Sequence, residues 1–306
     1  MKNPYAELQQ SLSNSGFKSS IVGIEHLADL KCELQDLLER GTLNREFYRE
    51  ITSRLNLNWH FEPPANLSEA KSVIVVAASQ QKVKVKFEIS HNEFEVIIPP
   101  TYVHDLHTKI SDLLAHNLKK HNYKLCNAIL PEKLIATRSG LARYGRNNIV
   151  YADGWGSYFM IKAFFTDMPC PVDNWQKAKM MDQCERCSLC REHCPTNAIK
   201  ADRFLIQAEK CLTFFNEKSG DFPEWIQPHW HNCLIGCMIC QDICPVNKRQ
   251  IHWVTEEGTF SEEETLMVIQ GTPINRLPRR MKDKLKKLCM LDDYHLLSRN
   301  LSVLLH

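Results

Sequence analysis

The sequence has almost no net charge, no long apolar run and little cysteine in its first half. Lys and Arg total 38 against 36 Asp and Glu, a formal net charge of +2, so no global field points to nucleic acid or to a membrane surface. No apolar stretch approaches the ~18–20 residues that a membrane-spanning helix needs. The opening MKNPYAELQQSLSNSG is a polar, amphipathic helix start without the apolar segment of a secretory signal. A cytoplasmic protein with no membrane partner is therefore expected. Only Cys32 and Cys126 precede residue 170, yet the chain holds 13 cysteines in all. So many thiols without an export signal argue against a disulfide framework and for metal ligands or redox groups.

What is present begins with ample material for a core. The chain has 306 residues, 43% of them hydrophobic, which at roughly 100–200 residues per domain implies two domains or one with a large insert. A helix over about 3–15 stops at Gly16, where a left-handed terminal residue is favoured. SSIVGI (19–24) reads as a short strand. HLADLKCELQDLLERG carries Leu27, Leu30, Leu34, Leu37 and Leu38 at helical spacing and stops at Gly41. LNREFYREITSRL is a third helix. KSVIVVAAS (71–79) is a continuous apolar run, as in a buried central strand. KVKVKFEI alternates, with Val83, Val85, Phe87 and Ile89 on one face; SHNE turns and FEVII returns, giving a hairpin with one solvated face. LHTKISDLLAHNLKKHNY is amphipathic through Ile110, Leu113, Leu114 and Leu118. These elements predict an α/β body with a mixed sheet.

Residues 139–166 differ in character. Gly140, Gly145, Gly154 and Gly156 stand among Tyr144, Tyr151, Trp155, Tyr158 and Phe159. Such a stretch suits close backbone approach to a large flat ligand; a strand-loop-strand with ordinary core aromatics fits the composition as well. Further on, SEEE (261–264) is a capping-box signature, and helices follow it. NRLPRRMKDKLKKL carries seven basic residues, which reads as a solvated helix face, with a nucleic-acid patch as the sharper alternative.

Nine of the 13 cysteines lie between Cys184 and Cys244. Cys184-x2-Cys187-x2-Cys190-x3-Cys194-Pro195 is a full bacterial-ferredoxin run. In that pattern three close thiolates wrap one cluster, and the fourth, before proline, reaches the neighbouring cluster. A second copy should therefore exist, and Cys237-x2-Cys240-x3-Cys244-Pro245 supplies it. Its first cysteine is displaced: Leu234 stands at the matching position, with Cys233 one residue before it. Cluster one then takes Cys184, Cys187, Cys190 and Cys244. Cluster two takes Cys237, Cys240, Cys194 and either Cys211 or Cys233. Zinc sites favour two CxxC pairs over a three-plus-one run ending in Cys-Pro, so two [4Fe–4S] clusters are expected. Cys32, Cys126, Cys170 and Cys289 lack such spacing and read as packed thiols, while His229 and His231 read as surface or structural residues. A two-cluster module moves electrons one at a time. Its attachment to an α/β body suggests an electron wire feeding a cofactor held there.

These motifs resemble those of the epoxyqueuosine reductase family, the cobalamin-dependent iron–sulfur enzymes of queuosine biosynthesis, related to reductive dehalogenases. GLARYGRNN (140–148) is similar to that family's GLGWxGKN, with Ala142 for the second Gly and Arg146 for Lys. GSYFMIKAFFTD (156–167) resembles its GSWFFLGEILTD, and CERCSLCREHCPTNAI and GCMICQDICPVN resemble its two cluster motifs. KCLTFFNEKSG is similar to the RCISY-like segment that supplies the family's eighth thiolate, which favours Cys211 over Cys233. The likeness covers about residues 1–255 and is strongest from 140 to 247. It implies cobalamin or another corrinoid over the α/β body, with the cobalt near the first cluster and electrons passing from cluster to cluster to cobalt. The low-valent cobalt so formed can open an electrophile such as an epoxide. Corrinoid contacts are then expected from Tyr144, Gly145, Arg146, Asn147, Asn148, Gly156, Ser157 and Tyr158.

Two departures stand out. The family's catalytic Asp, in a VDxxPxxER segment, falls near Cys126 in LCNAILPEK, so the acid is absent or moved. Proton delivery to a leaving oxygen contributes ~10²–10⁴ in rate, which an epoxide-opening enzyme would not readily give up. In place of the helical-repeat extension of many members, two or three helices are expected here.

The sequence thus predicts an α/β (α+β) corrinoid-binding body over 1–168, a ferredoxin-like two-cluster module over 169–255 and a short helical C-terminus over 256–306. The expected function is a corrinoid-dependent iron–sulfur reductase of unidentified substrate. The alternatives are epoxyqueuosine reductase acting on tRNA, and a corrinoid-carrying electron-transfer protein serving a partner enzyme. A low-potential donor of ferredoxin or flavodoxin type and a monomeric state complete the expectation.

Overall fold

The computed structural model describes residues 3–102 and 106–305. Along them run α1 (Pro4–Asn14), β1 (Phe17–Gly23), α2 (His26–Glu39), α3 (Arg45–Arg54), β2 (Ser72–Ser79), β3 (Lys82–Ile89), β4 (Asn92–Ile98), α4 (Leu106–Lys119), β5 (Leu125–Ala128) and α5 (Glu132–Arg138). Then come β6 (Arg143–Tyr144), β7 (Val150–Tyr151), β8 (Phe159–Thr166), α6 (Leu189–Glu192), α7 (Leu212–Asn216), α8 (Ile239–Asp242), β9 (Val254–Phe260), α9 (Glu262–Ile269), α10 (Arg279–Lys287) and α11 (Tyr294–Leu304). They form two units: the described residues of 1–79, 105–187 and 203–205, and those of 80–104, 188–202 and 206–306.

The first unit is built on a sheet of order β1-β2-β8-β5. The continuous apolar run predicted as a central strand is β2, and residues 73–78 are fully buried. Alternate side chains explain why both parities must be apolar. Val73, Val75 and Ala77 enter a core with Leu27 and Leu30 of α2 and Ile135 of α5. Ile74, Val76 and Ala78 enter another with Leu8 and Leu12 of α1 and Ile110 and Leu114 of α4. Helices therefore cover both faces. All pairings in this sheet are antiparallel; the mixed strand directions expected of the body occur in the other unit. A two-stranded ribbon of β6 and β7 precedes β8.

The second unit holds the β3–β4 hairpin, which the sequence reading had grouped with the α/β body. Its apolar face explains the difference. Val83, Val85 and Phe87 pack with Phe260 and with Met281, Leu285, Leu297 and Leu301 of the C-terminal helices. Phe87 and Phe260 stack at 4.8 Å between ring centroids. Strand β9, which carries Phe260, adds parallel to β3 across a register shift. That pairing joins segments far apart in sequence, so no local pattern announces it. The hairpin turn itself follows expectation: Ser90 and His91 both have positive φ, as a two-residue type I′ turn requires.

The expected capping box opens α9, where Ser261 and Glu264 bond reciprocally. Basic α10 buries Met281 and Leu285 and turns charge outward. On that helix Lys284 pairs with Glu264 and Lys287 with Glu257. Buried Asn300 on α11 donates to Asn216 O at 2.8 Å and Leu234 O at 2.9 Å. The C-terminal helices thus brace the segments beside Cys211 and Cys233. No helix among the described residues is long and apolar enough to cross a membrane.

Candidate metal centre

The two cysteine motifs fold alike. In the first, Glu192 and His193 N–H close a helical turn on Ser188 O and Leu189 O, and Asn197 N–H returns to Cys194 O. In the second, Asp242 and Ile243 N–H close on Met238 O and Ile239 O, and Asn247 N–H returns to Cys244 O. Cys190 lies on α6 and Cys240 on α8, and these two helices pack together. The sequence repeat is therefore a structural repeat, with Leu234 where the first copy has Cys184.

Within the second unit the fold brings Cys237 near Cys211 and Cys194, three thiols from three separate segments. Burial pushes the Cys237 thiol up to about 11, hydrogen bonds from the Asn232 amide and Ile239 N–H pull the other way, and Cys211 and Cys194 add to the rise. None of the 13 cysteines is in a disulfide. Thiols within electrostatic reach of one another become thiolates together only if a cation takes up their charge, which is what an iron–sulfur cluster does. The donor set fits one.

Cys233 also neighbours Cys237, but it is buried, its pKa is pushed well up by burial, and its thiol donates to Asn232 Oδ1 at 3.2 Å. Asn232 is a residue that sequence reasoning missed. Its Oδ1 accepts Met238 N–H at 2.8 Å, and its Nδ2 donates to Trp230 O at 3.0 Å and to Cys237 Sγ at 3.3 Å. Gly236, with φ +70, is needed twice over: an added Cβ would lie 2.6 Å from the hydroxyl of Tyr102. Half-buried Tyr102 in turn donates to Glu217 beside the Cys211 segment. The spacing code gives candidate ligands; these supports carry no such signal.

Cys184 and Cys187 belong to the first unit, where Arg146 meets them. It projects from the loop between β6 and β7, a turn closed by Gly145 N–H on Ile149 O and Asn148 N–H on Gly145 O. Its Nε donates to Cys187 O at 2.9 Å and its Nη2 to Cys184 O at 2.6 Å. Tyr144 N–H bonds Lys179 O and Met181 N–H bonds Tyr144 O, so the ribbon also holds the approach to Cys184.

The other residues expected to contact a corrinoid are mostly buried. Tyr144, Gly145, Asn147, Gly156, Ser157 and Tyr158 are all buried, Tyr158 completely. Asn147 donates to the Tyr151 hydroxyl at 3.0 Å. At Gly145 an added Cβ would lie 2.6 Å from both Asn147 and Tyr151, so the missing side chain admits the protein's own packing. Arg146 and Asn148 are half-buried. Cys126 is half-buried on edge strand β5, opposite Phe165 on β8, with its Sγ 3.7 Å from the Asn66 side chain. His231 packs on Phe222 and is held down to about 4 by burial and the Arg299 charge, so it stays neutral and structural.

Residues 183–247 match the family described as a 4Fe-4S double cluster binding domain. The chain is similar to proteins named epoxyqueuosine reductase. It is 30% identical over 182 residues to one from Yersinia pestis, covering 53% of this chain and 43% of that one. To one from Pseudomonas aeruginosa it is 34% identical over 163 residues, 47% and 44% of the two chains. To one from Cyclobacterium marinum it is 27% identical over 219 residues, 67% and 68%. The matches thus span less than half the length of the first two relatives. Among solved structures, epoxyqueuosine reductase from Streptococcus thermophilus superposes with a TM-score of 0.67 at 18% identity, over 99% of this chain and 81% of that one. The Bacillus subtilis protein gives 0.66 at 21%, over 99% and 82%. At such identities these superpositions establish the fold.

Proposed function

We propose, from a chain that belongs to the epoxyqueuosine reductase family as a divergent member, an iron–sulfur reductase that passes electrons singly through two [4Fe–4S] clusters to a corrinoid, for reduction of an electrophilic substrate. The observation that carries this reading is that Cys237 lies within electrostatic reach of Cys194, which the crossed-ligand pattern assigns to the second cluster, and of Cys211, which the resemblance favours as its remaining ligand. Cys240 completes that set, and the spacing assigns Cys184, Cys187, Cys190 and Cys244 to the other. Arg146 orders the Cys184–Cys187 loop through its two carbonyls.

A bound corrinoid supplies a cobalt centre that accepts electrons and reacts with an electrophile. In the first unit, the loop that carries half-buried Asn148 is the group we assign to its rim, with Tyr144, Asn147 and Tyr158 supporting that surface from beneath. A low-potential one-electron carrier serves as donor.

Epoxyqueuosine in tRNA is the second reading. It is supported by the names of the relatives and by the exposed Arg279 and Arg280 on α10. A solved structure at 20% identity is described as epoxyqueuosine reductase with an epoxyqueuosine-modified tRNA stem loop.

The test is anaerobic purification with iron, sulfide and cobalt counted per chain, followed by addition of cobalamin. Roughly eight irons and a cobalamin-dependent change in both spectrum and melting temperature are expected. A zinc-loaded protein without an iron chromophore, or one indifferent to cobalamin, overturns the corresponding half.

A further inference from the structure

We propose that Asn232 is a tuning residue of the second cluster: its side-chain amide raises the reduction potential by hydrogen bonding to Cys237 Sγ. This rests on the cluster reading above, and it concerns a residue outside the ligand code. Four contacts fix the amide. A backbone N–H can only donate, so the 2.8 Å bond from Met238 N–H identifies Oδ1 and excludes the flipped orientation. The thiol of Cys233 donates to the same oxygen at 3.2 Å. Nδ2 is then left on the other side, where its two hydrogens have two acceptors, Trp230 O at 3.0 Å and Cys237 Sγ at 3.3 Å. The donor is aimed at the sulfur by the turn that carries the sulfur.

The consequence follows from charge. On reduction a [4Fe–4S] cluster takes up one electron from a low-potential donor and gains one negative charge, shared by iron and sulfur. A hydrogen bond to a ligand sulfur stabilises that more negative state more than the oxidised one, so the potential rises. Five residues before Cys187, at the matching point of the repeat, stands Asp182, whose carboxylate has no N–H to offer. The two copies thus differ at the position that faces the ligand sulfur in the second. Such a difference orders two otherwise similar clusters in potential, which a directional electron path needs.

The experiment uses the full chain, reconstituted anaerobically, with iron counted and each cluster followed by electron paramagnetic resonance during a potentiometric titration. Asn232→Asp keeps an oxygen for Met238 N–H and loses the donor; Asn232→Ala loses both. Full iron content, with one cluster shifted to lower potential in each variant and the other unmoved, is the expected result. Unmoved potentials at full iron overturn the proposal. So does loss of about four irons from both variants, which would make Asn232 a support of the fold alone. If only one variant keeps its iron, its potential decides. An iron-free unmodified protein overturns the cluster reading itself, so the iron count separates the two failures.

Discussion

Arg146 donates from Nε to the backbone carbonyl of Cys187 over 2.9 Å. The same guanidinium reaches Cys184 O at 2.6 Å, so one rigid fork spans the first CxxC turn. The residue sits where the resemblance suggested a contact to the corrinoid rim, and its side chain orders the turn of the first CxxC motif. Hydrogen bonds to charged groups contribute about 1.5–3 kcal/mol each, and Arg146 is half-buried. Arg146→Ala should therefore cost about 2 kcal/mol of stability and speed iron loss under air. Arg146→Lys should recover only part of this, because an ammonium lacks the planar fork. Thermal melts and timed iron release, compared with the unmodified protein, check both statements. An alanine variant as stable and as iron-retentive as the parent would show that the loop is held by other means.

The eighth ligand should be Cys211. It lies near Cys237 together with Cys194, whereas the Cys233 thiol is buried and donates to Asn232. Cys211→Ala should therefore remove or convert one cluster, lowering iron from roughly eight to roughly four per chain. Cys233→Ala should leave iron unchanged and cost about 1 kcal/mol as a small buried deletion. Iron and sulfide analysis decides, and the reverse result would move the ligand to 233.

How much of this was legible beforehand varies with the physics involved. Cysteine spacing encodes ligand geometry directly, because a cubane constrains the chain within a few residues of each sulfur. The apolar run of β2 was legible too, since a strand covered on both faces cannot alternate. The hairpin was read correctly as a hairpin, but its partners were not, because β9 and the C-terminal helices reach it only through long-range contacts. Strand β9 itself, VTEEGTF, is polar and edge-like and gives little signal. Glycines and aromatics at 140–159 were open to two readings. At Gly145 the space left by the glycine is filled by Asn147 and Tyr151, and Tyr158 is fully buried, so both serve the packing of the body. Asn232 could not have been singled out, because an asparagine before a cysteine motif is unremarkable until its oxygen is seen to be occupied.

A pH dependence of stability should arise at His26, which closes α2 against the segment that follows β8. Its Nδ1 meets Asp29 and its Nε2 meets Asp173, each at 2.7 Å, and its ring stacks on Trp175 at 4.2 Å. Glu25 lies alongside. Burial lowers the imidazole pKa, but the hydrogen bonds to Asp29 and Asp173 outweigh it, so the net shift is upward from 6.5. A raised folded-state pKa stabilises fully below the unfolded value and is lost as pH rises through the folded one. The Asp173 carboxyl shifts the other way, because the bond from His26 and backbone N–H groups outweigh its burial; its contribution is lost as pH falls through its lowered value. Stability from this triad should therefore be greatest in mildly acidic solution and decline above neutrality. Partly exposed pairs of this kind contribute about 0.2–1 kcal/mol. The difference in melting temperature between the parent and His26→Gln, followed from pH 5 to 9, should be largest at the acidic end. A constant difference across that range would remove the charge-based account.

The last prediction concerns the missing acid. Cys126 stands on edge strand β5, half-buried, with its sulfur beside Asn66 and its strand position opposite Phe165. If it occupies the place of the family's catalytic Asp, no carboxylic acid is offered there. A thiol is a much weaker acid than a carboxyl, and its sulfur is a poor hydrogen-bond donor. Loss of general-acid assistance typically costs ~10²–10⁴ in rate. Turnover of epoxyqueuosine RNA by the unmodified protein, with both clusters and cobalamin loaded and a low-potential donor present, should therefore be weak or absent. Cys126→Asp should raise it if the pocket otherwise fits that substrate. The carboxylate of the variant would have Asn66 as a ready hydrogen-bond donor, so the substitution need not leave a charge unpaired. Cys126→Ser, which introduces a hydroxyl and no acid, serves as the control and should stay inactive. Single-turnover assays at fixed cluster and cobalamin content measure the chemical step apart from binding. Rapid reduction by the unmodified protein would falsify the assignment and point to another group as the proton donor.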